Sequence, residues 1–269
     1  MMTDTKEANA TKRPINATII KIVDETPSIK TFFFDTHIPA CAGQFSMVWI
    51  RGVDEIPMSM PYTNGITVQK VGDATSALFG LGVGDCVGLR GPFGNTFNIP
   101  SGAKSTLLIG GGVGAAPLAP LAEVAKEAGI AVTAILGART SEELLFQNRF
   151  EKAGKVIITT DDGTAGHRGF VTDMLETLDL GGFDLICVCG PEPMMVRILD
   201  MAVDKGVEAK TQFSLHRYFK CAIGVCGACC MDDEGLRVCK DGPVISGDRL
   251  VGSELGKYKR DASSLKIYF

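Results

Sequence analysis

A chain of 269 residues with 45% hydrophobic and 22% charged side chains has the composition of a globular protein of two or three domains. Its formal net charge of -4, without a polybasic stretch, argues against nucleic acid or an anionic membrane surface as a partner. The polar N-terminal segment and the absence of an apolar run of ~20 residues predict a cytoplasmic protein without a membrane span.

The first part of the chain, residues 14–100, is dominated by short segments rich in β-branched and aromatic residues. Pro, Gly and Asp separate these segments, as expected for turns between strands. The predicted strands are Ala17–Val23, Ile29–Asp35, Gln44–Ile50, Gly65–Val71 and Cys86–Arg90. One helix is predicted there, over Ala74–Leu81. Short strands at this spacing predict a small antiparallel barrel or sandwich.

Residues 101–213 change to alternating strands and helices. The predicted strands are Thr106–Ile109, Ala131–Leu136, Lys155–Thr159 and Asp184–Cys189. The predicted helices are Pro117–Ala128, Ser141–Phe150, Phe170–Leu178 and Pro193–Lys205. This alternation predicts a parallel α/β sheet with crossover connections.

Three glycine-bearing loops follow strands of this predicted sheet, with the sequences GGGVGAAP, TDDG and CGPEPMM. Ligands of open α/β sheets bind outside the carboxyl ends of the strands, and a helix start there can hold a pyrophosphate. The candidate dinucleotide-binding residues are therefore Gly111, Gly112, Val113, Gly114, Ala115, Asp161, Asp162, Gly190 and Pro191. The two aspartates either contact the adenosine ribose or cap a turn. No basic cluster is present to bind a 2′-phosphate, which favours NAD over NADP, and Arg139 is the residue that would reverse this preference.

Regular periodicity ends near Ser214, and the last region, residues 214–269, contains five of the nine cysteines. The odd total and the lack of a secretory signal argue against a disulfide framework and favour a metal site. Four of the five have the spacing C-x4-C-x2-C…C of plant-type [2Fe–2S] ligation, namely Cys221, Cys226, Cys229 and Cys239. A zinc site and a set of inert thiols are the alternatives. Cys230 is the spare thiol, and the final Ile267–Phe269 is expected to dock on the body of the protein.

The glycine loops and the domain order resemble the ferredoxin–NADP reductase superfamily, in which an FAD-binding antiparallel barrel precedes the nucleotide domain. This resemblance assigns residues 14–100 to FAD, 101–213 to NAD and 214–269 to a small [2Fe–2S] subdomain. It also implies flavin contacts from two segments, which contain Ile56, Pro57, Met58, Ser59, Thr67, Val68, Gln69, Gly72, Ala74 and Thr75. The family's arginine is replaced by Ile56, so either contacts with the FAD phosphates come from other residues or this stretch is not the family's motif.

The cysteine segment, CAIGVCGAC followed by VCKDGPV, closely resembles the electron-transfer subunits of dihydroorotate dehydrogenase B. This resemblance implies an FMN-containing catalytic partner in a heterotetramer, and electron flow from that partner through [2Fe–2S] and FAD to NAD⁺ in pyrimidine biosynthesis. Catalytic residues for the dihydroorotate chemistry are not expected in this chain. Two alternatives are a ferredoxin or sulfide-type reductase subunit of the same superfamily and a zinc-stabilised redox sensor or binding module.

Overall fold

The computed structural model describes residues 13–269, and its first region is an antiparallel sheet. The strands are β1 (Ile15–Thr26), β2 (Ile29–Phe34), β3 (Phe45–Ile50), β4 (Asp54–Ser59), β5 (Gly65–Gln69) and β6 (Cys86–Phe93). The helix α1 (Asp73–Phe79) lies between β5 and β6 in the chain. The strand order is β4-β3-β6-β1-β2-β5, and the end strands β4 and β5 lie beside each other, which gives the sheet a barrel-like form.

Alternating side chains of these strands fill the interior of the barrel. Phe32 and Phe34 of β2 and Val48 of β3 are fully buried there. Burying each such side chain contributes about 1.5–3 kcal/mol, before the entropy of ordering it is subtracted. Thr31 of β2 is also buried, and its hydroxyl is satisfied by the Thr67 hydroxyl of β5 at 2.8 Å. The predicted antiparallel barrel is confirmed.

The second region is a mainly parallel sheet with helices on both faces. Its strands from this region are β7 (Ser105–Gly111), β8 (Ala131–Ala138), β9 (Lys155–Thr160), β10 (His167–Arg168), β11 (Leu185–Cys189) and β12 (Thr211–Ser214). The helices are α2 (Ala115–Glu127), α3 (Gln147–Ala153), α4 (Val171–Leu175) and α5 (Glu192–Asp204), and short 3₁₀ turns occupy Gly112–Gly114, Ser141–Glu143, Leu180–Gly182 and Glu208–Lys210. The strand order is β10-β9-β8-β7-β11-β12, which confirms the predicted parallel α/β domain.

Both faces of this sheet are buried, as expected for parallel strands covered by helices. Leu107 and Ile109 of β7 belong to the core that contains α4 and α5 residues. Leu108, between them, belongs to the core on the α2 side. The small residues of α2 allow it to lie close to the strands, and Ala116 and Ala119 are fully buried. The loops at the carboxyl ends of the strands are thereby held in fixed positions.

The third region contains short elements around the cysteines. They are β13 (Cys230–Met231), β14 (Leu236–Arg237), α6 (Val238–Asp241), β15 (Val244–Ser246), α7 (Gly247–Leu250), β16 (Tyr258–Arg260) and β17 (Lys266–Tyr268). β15 pairs antiparallel with β12 and becomes the seventh strand of the α/β sheet. Met231 and Val238 share one hydrophobic core with Phe213 of β12. The cysteine region therefore packs directly on the nucleotide domain.

Two details of the sequence prediction were wrong. The helix predicted over Ser141–Phe150 is instead a 3₁₀ turn followed by α3, because Phe146 adopts a left-handed conformation with φ 58°. With this break, the consecutive Leu145 and Phe146 both enter the core beside α2. The C-terminal Ile267–Phe269 does not dock: its side chains are 45%, 71% and 62% exposed, and the segment forms a hairpin of β16 with β17.

The longest helices among residues 13–269 have 13 residues, and none has the length and hydropathy to cross a membrane.

Candidate functional site

A cavity of about 840 Å³ is lined by residues from all three regions. Its walls come from β4 and β5 of the barrel, from the loops after β7, β8, β9 and β11, and from residues 214–216 with Phe219. Its volume is in the range of pockets that hold cofactors and other small ligands. The predicted dinucleotide edge of the α/β sheet and the predicted flavin strands therefore face one shared space.

Six of the ten residues predicted to contact a flavin line the cavity, namely Pro57, Met58, Ser59, Thr67, Gln69 and Thr75. Successive side chains of a strand point to opposite faces, so Val68 points into the barrel core. Ile56 and Ala74 also pack against that core. Gly72 begins α1, where its N–H donates to the Thr75 hydroxyl at 2.9 Å. Fewer residues therefore face the cavity than the sequence predicted as flavin contacts.

The barrel end of the cavity carries no positive side chain. Among the cavity-lining residues of the described chain, the only arginines or lysines are Arg139 and Arg197, and both belong to the α/β domain. The position of the family's arginine, Ile56, has no basic substitute in this part of the wall. Hydroxyl and backbone groups remain as the polar groups that a bound phosphate would meet there.

At the other end, the loops after β7 and β11 interlock. A Cβ on Gly114 would lie 2.3 Å from the Cys189 carbonyl oxygen, and one on Gly111 would lie 2.9 Å from Pro191 Cδ. Gly112 has φ +54°, a conformation that glycine adopts without strain. Gly111–Gly114, Gly190 and Pro191 line the cavity, whereas Ala115 is buried in α2. These glycines therefore allow the backbones of the two loops to approach each other closely at the edge of the cavity.

The two aspartates after β9 have different environments. Asp161 lines the cavity. Asp162 instead accepts hydrogen bonds from the Thr164 N–H at 2.9 Å and the Thr164 hydroxyl at 2.7 Å. These bonds lower the pKa of the Asp162 carboxyl and make it the cap of a turn. Asp161 is thus the aspartate that is placed to meet a ligand.

Arg139, which follows β8, lies in the cavity wall beside Glu143. Its Nε and a terminal nitrogen donate to the two carboxylate oxygens of Glu143 at 2.8 and 2.5 Å. This pairing raises the pKa of Arg139. Both residues stand where dinucleotide-binding folds contact the adenosine ribose. The guanidinium is therefore already paired with a carboxylate at the position where a 2′-phosphate would approach.

Several cavity residues were not predicted, and the most informative are those just before the cysteine segment. The Phe219 ring lies 4.8 Å from the Phe45 ring, centroid to centroid, and both line the cavity. His216 lies in the same wall, and burial by neighbouring atoms, with the charge of Arg217, lowers its pKa. Cys189 also lines the cavity, and burial raises its pKa to about 12. The sequence offers no local signal for Phe45 and Phe219, because they come together from distant parts of the chain.

The four predicted cysteine ligands form two neighbouring pairs. The Cys221 sulfur accepts hydrogen bonds from the Val225 N–H at 3.3 Å and the Cys226 N–H at 3.5 Å. The Cys229 sulfur accepts one from the Cys239 N–H at 3.4 Å. Left-handed conformations at Ala222, Gly224 and Gly227 fold the loop tightly enough for these contacts. Plant-type ligation places two thiolates on each of two irons, so two pairs suit such a cluster.

The same contacts change the acidity of the thiols. Burial raises the pKa of Cys221, but the N–H groups of Cys226, Ile223 and Val225 outweigh it and bring the pKa to about 6. The hydrogen bond from the Cys239 thiol lowers the pKa of Cys229 and raises that of Cys239 itself. Thiolate, not thiol, is the form that binds metal. Backbone donors around these sulfurs therefore favour metal binding and fit a cluster with bridging sulfides.

Within residues 13–269, no three His, Cys, Asp or Glu side chains are placed to hold one metal ion together. A structural zinc site has four ligands at one centre, and plant-type ligation has two thiolates on each iron. Cys230 lies in the β13–β14 ladder opposite Arg237, and burial raises its pKa. The geometry is therefore consistent with selecting Cys229 over the adjacent Cys230.

Two segments of the chain match known family models. Residues 216–251 match the family model described as the iron–sulfur cluster binding domain of dihydroorotate dehydrogenase B. Residues 108–199 match the oxidoreductase NAD-binding domain. Among solved structures, an NADH-dependent reduced ferredoxin–NADP oxidoreductase is 32% identical, with a TM-score of 0.77 over 86% of this chain and 88% of the other. The ferredoxin reductase of carbazole 1,9a-dioxygenase, at 21% identity and a TM-score of 0.66 over 74% of this chain and 68% of the other, shares the fold.

Curated relatives extend over nearly the whole chain. A protein of Methanocella arvoryzae described as a probable dihydroorotate dehydrogenase B (NAD(+)) electron transfer subunit is 56% identical, over 93% of this chain and 97% of its own length. One of Methanocaldococcus jannaschii with the same description is 48% identical, over 96% of this chain and 100% of its own length. The chain belongs to the family of dihydroorotate dehydrogenase B electron transfer subunits.

Proposed function

We propose that this chain is an oxidoreductase subunit that passes electrons between a [2Fe–2S] cluster and NAD by way of an FAD. The observation that carries the proposal is the shared cavity: it joins the barrel and the nucleotide loops, and Phe219 in its wall lies two residues before Cys221. NAD exchanges two electrons as a hydride, whereas a [2Fe–2S] cluster takes one at a time. FAD, when bound, supplies the conversion between them.

In this proposal the barrel strands hold the flavin. Pro57, Met58 and Ser59 of β4 contact its ring system, and Thr67 and Gln69 of β5 contact it from the neighbouring wall. Backbone groups near Thr75 contact the phosphates, because the barrel wall offers no basic side chain and the Thr75 hydroxyl already donates to the Gly72 carbonyl. Uncharged donors bind phosphate less strongly than arginine does, so FAD affinity depends on the shape of the cavity.

The α/β domain holds the nicotinamide dinucleotide. The turn Gly111–Gly114, at the start of α2, faces the pyrophosphate, and Gly190 with Pro191 faces the nicotinamide half. Asp161 contacts the adenosine ribose. The interlocked loops bring the backbone close to the ligand and exclude water from the space beside the flavin.

The cysteine loop holds the cluster. Cys221 and Cys226 bind one iron, and Cys229 and Cys239 bind the other, as the two pairs suggest. The description of the relatives as electron transfer subunits implies a catalytic partner. We take that partner to be an FMN-containing subunit that oxidises dihydroorotate in pyrimidine biosynthesis, with the two chains forming a heterotetramer in the cytoplasm.

Adjacent cysteines provide a matched pair of variants to test this proposal. The chain would be purified anaerobically and assayed for iron, sulfide, zinc and flavin. We expect about two irons and two sulfides per chain, one FAD, and bleaching of the flavin by NADH. Cys229→Ser should lose the cluster and Cys230→Ser should keep it. Zinc in place of iron, or equal loss in both variants, would refute the ligand assignment.

The likeness to a ferredoxin–NADP oxidoreductase provides the second candidate, a reductase that acts on ferredoxin. The two functions are separated by adding either an FMN-containing dihydroorotate dehydrogenase subunit or a ferredoxin to the holo chain. Dihydroorotate-dependent reduction of NAD⁺ with the first, and no NADH-dependent reduction of the ferredoxin with the second, supports the proposal. The opposite result favours the reductase.

A further inference from the structure

Arg90 of the barrel reaches the cysteine segment across the domain junction. Its Nη1 donates to the Cys221 carbonyl oxygen at 2.9 Å, and its Nη2 donates to the Lys220 carbonyl oxygen at 3.1 Å. The side chain is only 11% exposed. Arg90 lies on β6, more than a hundred residues before the cysteines, so these bonds hold the loop that carries the first predicted ligand on the barrel.

Glu55 of β4 fixes the same guanidinium from the other side. Arg90 Nε and Nη2 donate to the two carboxylate oxygens of Glu55 at 2.5 and 2.7 Å. The guanidinium also lies over the Phe93 ring, 5.3 Å from its centroid. A planar group held by a carboxylate, an aromatic face and two carbonyls has almost no rotational freedom. Such a contact is more directional than an exposed surface ion pair.

The position of Arg90 links the proposed flavin site to the proposed cluster site. The Phe93 ring beneath it lies 5.9 Å from Phe45, and Phe45 lies 4.8 Å from Phe219, centroid to centroid. Phe45 and Phe219 form part of the cavity wall. Arg90 therefore stands beside the packed aromatic side chains that separate the cavity from the loop beginning at Cys221.

A cationic group fixed at this point has an electrostatic consequence. A [2Fe–2S] cluster becomes more negative by one charge when it is reduced, and a nearby positive charge stabilises the reduced form. Hydrogen bonds to the ligand loop also orient the ligands. Glu55, with its opposite charge, opposes the electrostatic effect. Removing one partner or the other should therefore move the reduction potential in opposite directions.

We infer that Arg90 is a positioning residue that holds the cysteine loop on the barrel and, through its charge, raises the reduction potential of the cluster bound there. The inference rests on the proposed function, because it assumes that the loop carries a cluster. It assigns to the ion pair with Glu55 a role in setting the driving force for electron transfer between flavin and cluster.

The test is a redox titration of the holo chain, monitored by the electron paramagnetic resonance signal of the reduced cluster. Arg90→Gln should lower the midpoint potential, and Glu55→Gln should raise it. For Arg90→Gln we expect about a tenfold change in the flavin–cluster equilibrium, which corresponds to about 59 mV for one electron. Arg90→Lys keeps the charge and should lie between Arg90→Gln and the unmodified chain.

Arg51 provides the matched control. It lies in the barrel and hydrogen-bonds to Asn16 and the Cys86 carbonyl, away from the cysteine segment. Arg51→Gln removes the same charge and should leave the potential unchanged, because exposed charges are screened.

Unchanged potentials in the Arg90 and Glu55 variants, or a downward shift in both Arg90→Gln and Glu55→Gln, would overturn the inference. If Arg90→Gln does not fold, the midpoint potentials of Arg90→Lys and Glu55→Gln still test the inference. Failure of the proposed function is distinguishable, because the unmodified chain would then show no iron–sulfur signal.

Discussion

Replacing Gly114 with alanine would place a methyl group on backbone atoms of the loop after β11. The added Cβ would lie 2.3 Å from the Cys189 carbonyl oxygen, 2.5 Å from its carbonyl carbon and 2.7 Å from the Gly190 nitrogen. None of these atoms can rotate away, as a side chain would. The two loops must separate by about 1 Å to restore ordinary contact.

Two effects of this substitution have opposite signs. Gly114 has φ −62° and ψ −15°, so alanine fits the local conformation and on propensity alone would gain up to about 1 kcal/mol. Overpacking costs about 1–3 kcal/mol, and here only backbone can yield. We therefore expect a net loss of stability, with Tm lower by roughly 2–4 °C for each kcal/mol. A displacement of about 1 Å beside the nicotinamide site should slow flavin reduction by NADH about 100-fold.

Thermal unfolding and stopped-flow bleaching of the flavin measure these two effects. Gly82→Ala is the control, since its Cβ would meet only the Asp85 carboxylate at 3.8 Å and its φ is not in the left-handed range. Its stability should change by less than about 0.5 kcal/mol. A Gly114→Ala protein with unchanged Tm and an unchanged rate of flavin reduction would refute the argument from backbone contact.

Three further predictions concern the nucleotide, the cavity wall and the cysteine loop. Glu143→Gln should release Arg139 to pair with a 2′-phosphate and raise kcat/KM for NADPH relative to NADH. Steady-state assays with NADPH and NADH check this, and an unchanged ratio of the two values contradicts it. Burial and Arg217 lower the pKa of His216 below 6.5, so the stability of the folded protein should fall as the pH drops below 6.5. In His216→Gln, Tm should therefore fall less between pH 7.5 and 5.5 than in the unmodified chain. An equal fall in both proteins would contradict the prediction. Gly224→Ala should reduce the iron and sulfide content, because φ is +76° and the Cβ would lie 2.8 Å from Lys240 Cδ; full occupancy would show that the loop adapts.

The features that were predictable from sequence are those encoded locally. Runs of β-branched and aromatic residues between turn residues identified the barrel strands other than β4, and helical patterns between apolar strands identified the α/β domain. The cysteine spacing from Cys221 to Cys229 is also local information, because one tight loop must present several thiols. Asp161 and Asp162 show the limit of such patterns: the two are chemically equal in sequence, and only the Thr164 contacts distinguish them.

The features that were not predictable depend on distant contacts. No local pattern relates Arg90 to the Cys221 carbonyl, although the hydrogen bond joins two domains. β15 has three residues, too few to show a period, and its pairing with β12 was missed. The helix prediction over residues 141–150 was wrong because tertiary burial of Phe146 outweighs helical propensity.

The pairing of β12 with β15 also bears on how such a protein gains or loses a redox centre. Ser214 and Val244 are direct partners in that antiparallel ladder, so the whole cysteine segment leaves and rejoins the sheet at one edge position. Chain segments whose two ends lie side by side are those at which insertion and excision are best tolerated. A short turn would close the two strands here, but Met231 and Val238 share a core with Phe213, so gain or loss of the iron–sulfur segment also requires that core to repack.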